Sequence, residues 1–480
     1  MFELPTIYIR NPDYFWGHPH ISPCGNICIS DRQGVVFNPD DVDGVVEFVV
    51  KSALVIIEDA NKLTASEKLQ AFANELQDYL SERFVTGNRM IEGGFGSADS
   101  VFFNVNVGKK EHSLVSITAS GQATAGKQAT FHTANVIKTS IERIPSMGSK
   151  PDINWLKSFL NNHPDLQLSK KRIGGLVIRV ANVFGYSNFA ISFVRSQNSE
   201  ISQLNFYAVK ELSPYYYAQR GGTEIKDIRV AIAGVGAIGS RVAELLCMSG
   251  ITNLCLIDSD IFTNDNVYRH VLGKQHVGKN KVSALAEHLK QRFLELTIHP
   301  VPESLESYFA SGLPDIDCLI LTTGNMILER YLVKRAKNEG WPFQIVCGWV
   351  EALGLGGHAI SMAAQEKGCL ECLHIVDGNA PGNLSRTSYL EPNQKITKNL
   401  MGCIGFLPYS GLDALKSAQL ITDFVLSQRT GYSRWIGPED NAITNNIKTS
   451  EVYKNALGAN SKLVFTSTDI FEGNCPCCNT

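Results

Sequence analysis

Apolar and polar positions alternate with two different periods along this chain, and the change of period divides it. From Arg229 the string RVAIAGVGAIGSRVAELL starts as a short apolar strand, breaks at Gly234, Gly236 and Gly239, and continues with apolar residues at helical spacing. A second strand, NLCLID, ends on Asp258; the helix VSALAEHLKQRF and strands near Leu296 to Pro300, Cys318 to Leu321 and Phe343 to Val346 follow. This rhythm predicts an α/β, doubly wound parallel sheet over residues 223–480. Between Thr86 and about Gly222 the runs VFFNVNV, SLVSITA, GLVIRVA and FAISFV are β-rich, separated by Gly, Ser, Asn and Lys turns, with a helical piece near Asp152 to Asn161. They predict a mixed α/β linking domain over 86–222. Ahead of it, 41–61 has helical length with apolar residues on more than one face, which predicts a buried helix. Thr64 to Glu82 is a second, amphipathic helix capped by Thr64 with Glu67 three residues on. Leu4 to Ile9 reads as an edge strand after a proline, and Tyr215 to Tyr217 as an apolar linker.

Bulk properties narrow the picture. A chain of 480 residues exceeds one ordinary core and predicts two or three domains. Its 44% hydrophobic and 19% charged composition is that of a globular protein, and a net charge of -3 gives no electrostatic case for nucleic acid. The longest apolar stretch, VVEFVVKSALVII, is interrupted by Glu47 and Lys51, and the first residues lack a secretory pattern. A cytoplasmic location without membrane insertion is expected. The twelve cysteines are then thiols, metal ligands or nucleophiles rather than a disulfide framework. Cys247, Cys255, Cys318 and Cys347 lie in apolar segments and read as core; Cys24 and Cys477 stay unassigned.

Candidate chemistry begins at the glycines. Gly234, Gly236 and Gly239 permit a tight turn and let phosphate approach the amides at a helix N-terminus, while Asp258 stands where a dinucleotide fold holds a ribose hydroxyl. Alone, that pattern suits a nicotinamide oxidoreductase equally well. Asn266, Arg269 and Lys281 follow, and hydride transfer has no need of those cations. Adenylation does, because charge builds on the triphosphate as a carboxylate attacks the α-phosphorus. The string D-x-D-(x)5-N-x-x-R followed by V-G-x-x-K resembles the ThiF/MoeB/HesA-type adenylation domain of ubiquitin-activating enzymes and of bacterial enzymes that adenylate sulfur-carrier proteins. The resemblance implies that Asp258, Asn266, Arg269 and Lys281 contact ATP. Arg269-His270 together with WVEALGLGGH, Trp349 to His358, is closer to bacterial enzymes of CBASS-type anti-phage operons that fuse activating and conjugating domains. In many members an aspartate in a T-D-N string helps manage Mg2+; here the string is Thr323-Gly324-Asn325, and Asp260 is the candidate to compensate. His358 reads either as a structural histidine or as a group facing the substrate tail.

The first thirty residues carry a second signal. His18-Pro19-His20, then Gly25-Asn26-Ile27-Cys28, resembles the approach to the thioester cysteine of ubiquitin-conjugating enzymes, which implies Cys28 as nucleophile and His20 in the place of the asparagine that supports the oxyanion. Only 27 residues precede Cys28, so a reduced conjugating domain over 1–85, or a late start, is expected.

At the other end, Cys369-x-x-Cys372 and Cys475-x-x-Cys478 offer two knuckles suited to tetrahedral thiolate coordination of Zn2+. Cys403 stands between an irregular polar segment and a helix. The family resemblance makes that segment a crossover loop and Cys403 the thiol that first takes the activated carboxyl. The expected enzyme uses ATP and Mg2+ to adenylate the C-terminal tail of a ubiquitin-like or cyclic-nucleotide-synthase-type protein. It passes the acyl group from Cys403 to Cys28 and then to an amine-bearing target, and it dimerises through the adenylation domain. The alternatives are a sulfur-carrier adenylyltransferase and a nucleotide-binding scaffold without turnover.

Overall fold

The structure, a computed structural model, describes residues 4–29, 37–83, 91–94, 100–107, 112–118, 130–147, 151–183, 185–211, 214–310, 312–375, 384–394, 396–398, 405–457 and 463–478. Two compact units divide the chain, Met1–Ser213 and Pro214–Thr480. No helix among the described residues is long and apolar enough to cross a membrane.

In the first unit, helices α1 (Val42–Lys62) and α2 (Ala65–Arg83) precede strands β1 (Ile91–Gly94), β2 (Ser100–Val107), β3 (His112–Thr118) and β4 (Thr130–Thr139). Helix α3 (Ile153–Asn161) and strands β5 (Ile173–Asn182), β6 (Gly185–Arg195) and β7 (Ile201–Glu211) complete it. The strands close into a barrel of order β1-β3-β2-β4-β5-β6-β7, because β1 pairs in parallel with both β3 and β7. Strand β5 is buried without interruption from Gly174 to Val180, since its two faces meet two cores. Val177 joins Val101, Ile117, Ala134, Ala190 and Val209 in a cluster contributed by the strands alone. Leu176, Ile178 and Val180 pack instead against Phe72, Leu76 and Leu80 of α2 and Trp155 and Phe159 of α3. Helix α2, from the 1–85 stretch, thus shares a core with α3 and strands of the 86–222 stretch.

The Thr64 cap read from the sequence is present, and the structure adds one at Asp152. Thr64 donates to Glu67 Oε2 from its backbone N and from Oγ1 at 2.8 and 2.7 Å, and the Asp152 carboxylate accepts from the N–H groups of Asn154 and Trp155. Helix α1 departs from the buried helix expected: Val45, Val49, Ala53 and Ala60 are buried, but Val42, Val46, Phe48, Val50, Leu54 and Val55 are exposed. Leu4 to Ile9 is no named strand either; its pairing is the single bridge Tyr8 to Asn26, with Ile9 N–H donating to Gly25 O at 2.8 Å.

The second unit begins with the short helix α4 (Pro214–Arg220), on which Tyr215 to Tyr217 fall. Then come β8 (Lys226–Ala233), α5 (Ala237–Met248), β9 (Ile251–Ile257), α6 (Lys281–Arg292), β10 (Thr297–Val301), α7 (Leu305–Ala310), β11 (Cys318–Leu321), α8 (Met326–Glu339) and β12 (Gln344–Val350). The remainder is β13 (Gly356–Met362), β14 (His374–Ile375), β15 (Leu384–Ser385), α9 (Gly411–Ser427), β16 (Gly431–Ile436), α10 (Asp440–Thr444), α11 (Glu451–Leu457), β17 (Leu463–Phe465) and α12 (Ser467–Ile470). Eight strands run in the order β10-β9-β8-β11-β12-β13-β16-β17, parallel as far as β12 and antiparallel beyond.

Helices cover both faces, as a doubly wound sheet requires. Val242 and Leu246 of α5, Leu285 and Leu289 of α6 and Ile421 and Phe424 of α9 fill one core. Leu305 and Phe309 of α7 and Leu332 and Val333 of α8 fill the other. Chain order reverses at β8, whose sheet neighbours are β9 on one side and β11 on the other. In such sheets the crevice at the carboxyl ends of those strands is where ligands bind.

Candidate functional site

At the end of β8 the chain turns through Gly234, whose φ of +84° is a left-handed conformation that an L side chain adopts only with strain. A Cβ there would also stand 2.6 Å from Thr322 O, and one at Gly239 would stand 1.9 Å from Gly234 O. Both glycines are thus required by the close passage of α5 over the turn and the β11 end. At Gly236, the N-cap of α5, the space around a Cβ is open, so the helix N-terminus faces an unfilled approach. The Asp258 carboxylate holds this turn, accepting from Val235 N at 2.9 Å and Asp260 N at 2.8 Å. A carboxylate has about four lone-pair sites, so two remain to accept further hydrogen bonds.

Lys281 is brought back to the same place by pairing of two loops. Phe262 N–H donates to Lys279 O, Ile261 bridges Asn280, and Lys281 N–H donates to Asp260 O at 3.0 Å. The Lys281 ammonium, almost wholly buried, lies 2.7 Å from Asp260 Oδ2, while the Asp260 side chain is 66% exposed. A buried cation thus shares its counter-ion with solvent, which leaves a charge that an incoming phosphate can engage. Arg269 is half-buried with its guanidinium 4.9 Å from the centre of the Tyr409 ring, at the start of α9. The Asn266 carboxamide oxygen accepts from Thr263 N at 3.0 Å and from its hydroxyl, a local cap. The structure thus brings Gly234, Gly236, Gly239, Asp258, Asp260 and Lys281 to one strand end, with Asn266 and Arg269 on the adjoining loop. Cys403 lies outside the described residues; Tyr409 and Ser410 follow that segment.

Two groups here, Arg241 and Glu329, escape sequence reasoning, and a third, His270, is read there only as part of the Arg269-His270 pair. His270 is buried, accepts from Leu272 N at Nδ1 and therefore donates from Nε2 to Val235 O at 2.7 Å, clamping the glycine turn from below. Desolvation drives its pKa down to about 4, so it is neutral at pH 7. Arg241 of α5 donates to His270 O, and its Nε is buried without a hydrogen-bond partner among the described residues. Glu329 of α8 accepts from Thr323 N at 2.9 Å and Thr323 Oγ1 at 2.8 Å, anchoring the loop in which Gly324 replaces the expected aspartate. Burial pushes the Glu329 carboxyl up to about 7. Arg241 and Glu329 have no sequence signature and the motif does not tell what His270 does, because each acts through a contact made by chain folding.

Glu329 carries a pH prediction. A folded pKa above the ordinary carboxyl value means that the folded state binds the proton more tightly than the unfolded chain, so its share of stability is lost as pH rises from about 4.5 to about 7. Glu329→Gln keeps an oxygen for Thr323 and removes the titration. We expect the variant to gain up to about 3 kcal/mol over the wild type at pH 8 and little at pH 4.5, read from urea denaturation at both pH values. An equal gain at both would assign the effect to packing.

Farther along the sheet, His358 is fully buried, hydrogen-bonded between Tyr432 OH at 2.6 Å and Glu351 Oε1 at 3.1 Å and stacked on Trp349. This is the structural one of its two expected readings. Cys247, Cys318 and Cys347 are buried and their thiols raised by desolvation, Cys247 to about 12; half-buried Cys255 contacts Tyr308 OH. They belong to the core, as expected.

The four knuckle cysteines converge. Cys369 Sγ lies 3.9 Å from Cys372 and 3.7 Å from Cys475, and Cys372 Sγ lies 3.8 Å from Cys478. All four sulfurs fall within 4.8 Å of one another. A tetrahedral site with Zn–S bonds of about 2.3 Å has sulfur–sulfur edges of about 3.8 Å, so the donor set fits the metal. Cys477 is buried beside them but is not one of the four.

Residues 211–429 match the model of the ThiF family. They form a ThiF-family domain. Across 223 residues the chain is 25% identical to the ATP-dependent ubiquitin transferase-like protein Cap2 of Pseudomonas aeruginosa, covering 42% of this chain and 40% of that one. Across 115 residues it is 32% identical to the adenylyltransferase and sulfurtransferase uba4 of Neosartorya fischeri, covering 24% and 22%. The chain thus spans less than half the length of either relative. Among solved structures, E. coli MccB with ATP aligns at a TM-score of 0.37 and 16% identity, over 55% of this chain and 70% of that one.

The Cys28 loop lies outside the ThiF match. Ile21 and Ile27, both buried, form an antiparallel bridge, and Cys28 N–H donates to His20 O at 2.9 Å. Cys28 and His20 are exposed, and a shallow cleft lined by Leu4, Pro5, Thr6, Asn26, Ile27 and Ile29 opens at Cys28. Trp16 packs edge-on against Phe72 and Tyr79, seating the loop on α2. His18 is buried and donates from Nδ1 to Pro19 O at 3.1 Å, and burial lowers its pKa. Cys24 Sγ contacts Ser22 Oγ and Glu82.

Proposed function

We propose that the chain is an ATP-dependent enzyme that adenylates the C-terminal carboxylate of a protein tail and then conjugates it to an amine. The observation that carries this reading is Lys281, a buried cation fixed against Asp260 beside the Gly234 turn and Asp258 at the switch point of a ThiF-family sheet. The carboxylate attacks the α-phosphorus of ATP, pyrophosphate leaves, and the Lys281 and Arg269 charges stabilise what builds on the phosphates. Exposed Asp260 would hold Mg2+ in place of the residue missing at Gly324, and the bound ion would supply neutralisation of phosphate charge. Thiol attack by Cys403 on the acyl adenylate then releases AMP, exchange moves the acyl group to Cys28, and an amine takes it from there.

Residues 1–85 act in this reading as the reduced conjugating part, 86–222 as the linker and 223–480 as the adenylating part. The enzyme works as a cytoplasmic homodimer through the adenylation domain, with Zn2+ at Cys369, Cys372, Cys475 and Cys478 as a structural metal. Likeness to Cap2 supports a ubiquitin-like or cyclic-nucleotide-synthase-type tail and a part in anti-phage defence. Likeness to uba4 favours a second reading, adenylation of a sulfur carrier, in which Cys28 has no role.

The two readings separate on the thiols. With ATP and cell lysate, Cys28→Ala is expected to form a reducible adduct yet no amide product, and Cys403→Ala to release pyrophosphate yet form no adduct. Mass spectrometry under reducing and non-reducing conditions reads both. Amide formation undiminished in Cys28→Ala would leave the sulfur-carrier reading standing.

A further inference from the structure

The loop that presents Cys28 is held by a residue that neither the sequence motif nor the ThiF match includes. Glu75 of α2 grips His20 twice: Oε2 accepts the His20 backbone N–H at 2.6 Å, and Oε1 lies 3.0 Å from His20 Nδ1. His20 has a φ of +63°, uncommon for a residue with a side chain, and both its backbone groups are tied down, N–H to Glu75 and C=O to Cys28. One step outward from the buried Ile21–Ile27 bridge, Cys28 N–H donates to His20 O at 2.9 Å, and both residues are exposed. With Nδ1–H donated to Glu75, the lone pair of His20 is on Nε2.

We propose that Glu75, His20 and Cys28 form a nucleophile–base–orienter set in which His20 Nε2 takes the proton of the amine that attacks the Cys28 thioester, and Glu75 is the positioning residue. The proposal rests on the reading of Cys28 as an acyl carrier. As the C–N bond forms and the C–S bond breaks, Cys28 leaves as thiolate, the amine proton passes to Nε2, and from there to the thiolate, restoring both groups. The groups around His20 are Glu75 of α2 and His18 and Cys28 of its own loop; Lys68 of α2 acts on His18. The hydrogen bond to Glu75 outweighs partial desolvation and raises the His20 pKa above its usual value.

The test needs no carrier protein. The full chain is acylated with acetylglycine thiobenzyl ester, the Cys28 adduct is identified by its loss in Cys28→Ala, and discharge to free lysine is followed from pH 5.5 to 9. The wild-type rate should rise through a midpoint above 6.5, the usual histidine value. His20→Ala should slow discharge about 10²-fold. Glu75→Gln should slow it about 10-fold or more, the scale of losing a histidine's orienting partner, and move the midpoint to lower pH. His20→Asn, which donates but takes no proton, should be slow with a flat profile; circular dichroism checks that each variant is folded. Wild-type rate in His20→Asn, or an unmoved rate and midpoint in Glu75→Gln, would overturn the proposal, as would a Cys28 that the thioester does not acylate. A working set without any ATP-dependent adduct would instead overturn the conjugating function and leave the set standing.

Discussion

Lys281→Ala is expected to lower carrier-dependent exchange of labelled pyrophosphate into ATP by about 10²-fold or more, the scale of losing one preorganised charge contact. The structure says why this lysine should weigh so much. Its ammonium is fixed before substrate arrives, at 2.7 Å from Asp260 Oδ2, and its backbone sits at the first turn of α6, where the Asn280 side chain accepts from Val282 and Ser283 N–H. The reorganisation cost is therefore met in folding rather than during the reaction. Removing the side chain leaves Asp260 in water, 66% exposed, so no unpaired buried charge is created, and urea denaturation of the variant in parallel lets the loss be read as chemistry. Arginine should not restore the rate, since the position is buried and a planar fork needs more room than an ammonium. Exchange at the wild-type rate in Lys281→Ala would remove the adenylation assignment.

What the sequence made legible has a physical pattern. The strand–glycine–helix unit at Gly234 is local: its strand period, glycines and helix period lie within one short run, and the structure returns β8 and α5 where the pattern puts them. The Thr64 cap is legible for the same reason, a hydrogen bond spanning three residues. Asp260 and Lys281 are each singled out by motif spacing, but their contact across 21 positions is not legible there. Glu75, 55 positions from His20, and Glu329, pinned against a loop at a strand end, have no local pattern to betray them. The exposed side of α1 shows the limit of periodicity: apolar residues on two faces predicted burial, whereas only the Val45–Val49–Ala53 side is covered in the structure. Periodicity reports which residues are apolar and not how many neighbours they find.

The largest stability effect is expected at the four-cysteine cluster. Metal analysis of the purified chain should return about one zinc per chain, and Cys475→Ser should lose it together with several kcal/mol of stability, because metal bound only by the folded state contributes its binding energy to folding. The contribution is local to the second unit: Cys369, Cys372 and Cys475 are buried in the core that α7 and α8 cover, and Arg330 of α8 pairs with Glu371 between the first two ligands. Four thiolates that close without metal would repel, so a chelator should loosen the last described residues first, which hydrogen exchange at 471–478 would read. Cys477→Ser supplies the discriminating control. Cys477 is as buried as Cys475 but stands outside the four converging sulfurs, so its loss should spare the zinc and cost only what a small core substitution costs. Zinc lost equally from both variants would mean that the ligand set is drawn wrongly, and a metal-free wild type of unchanged stability would remove the site.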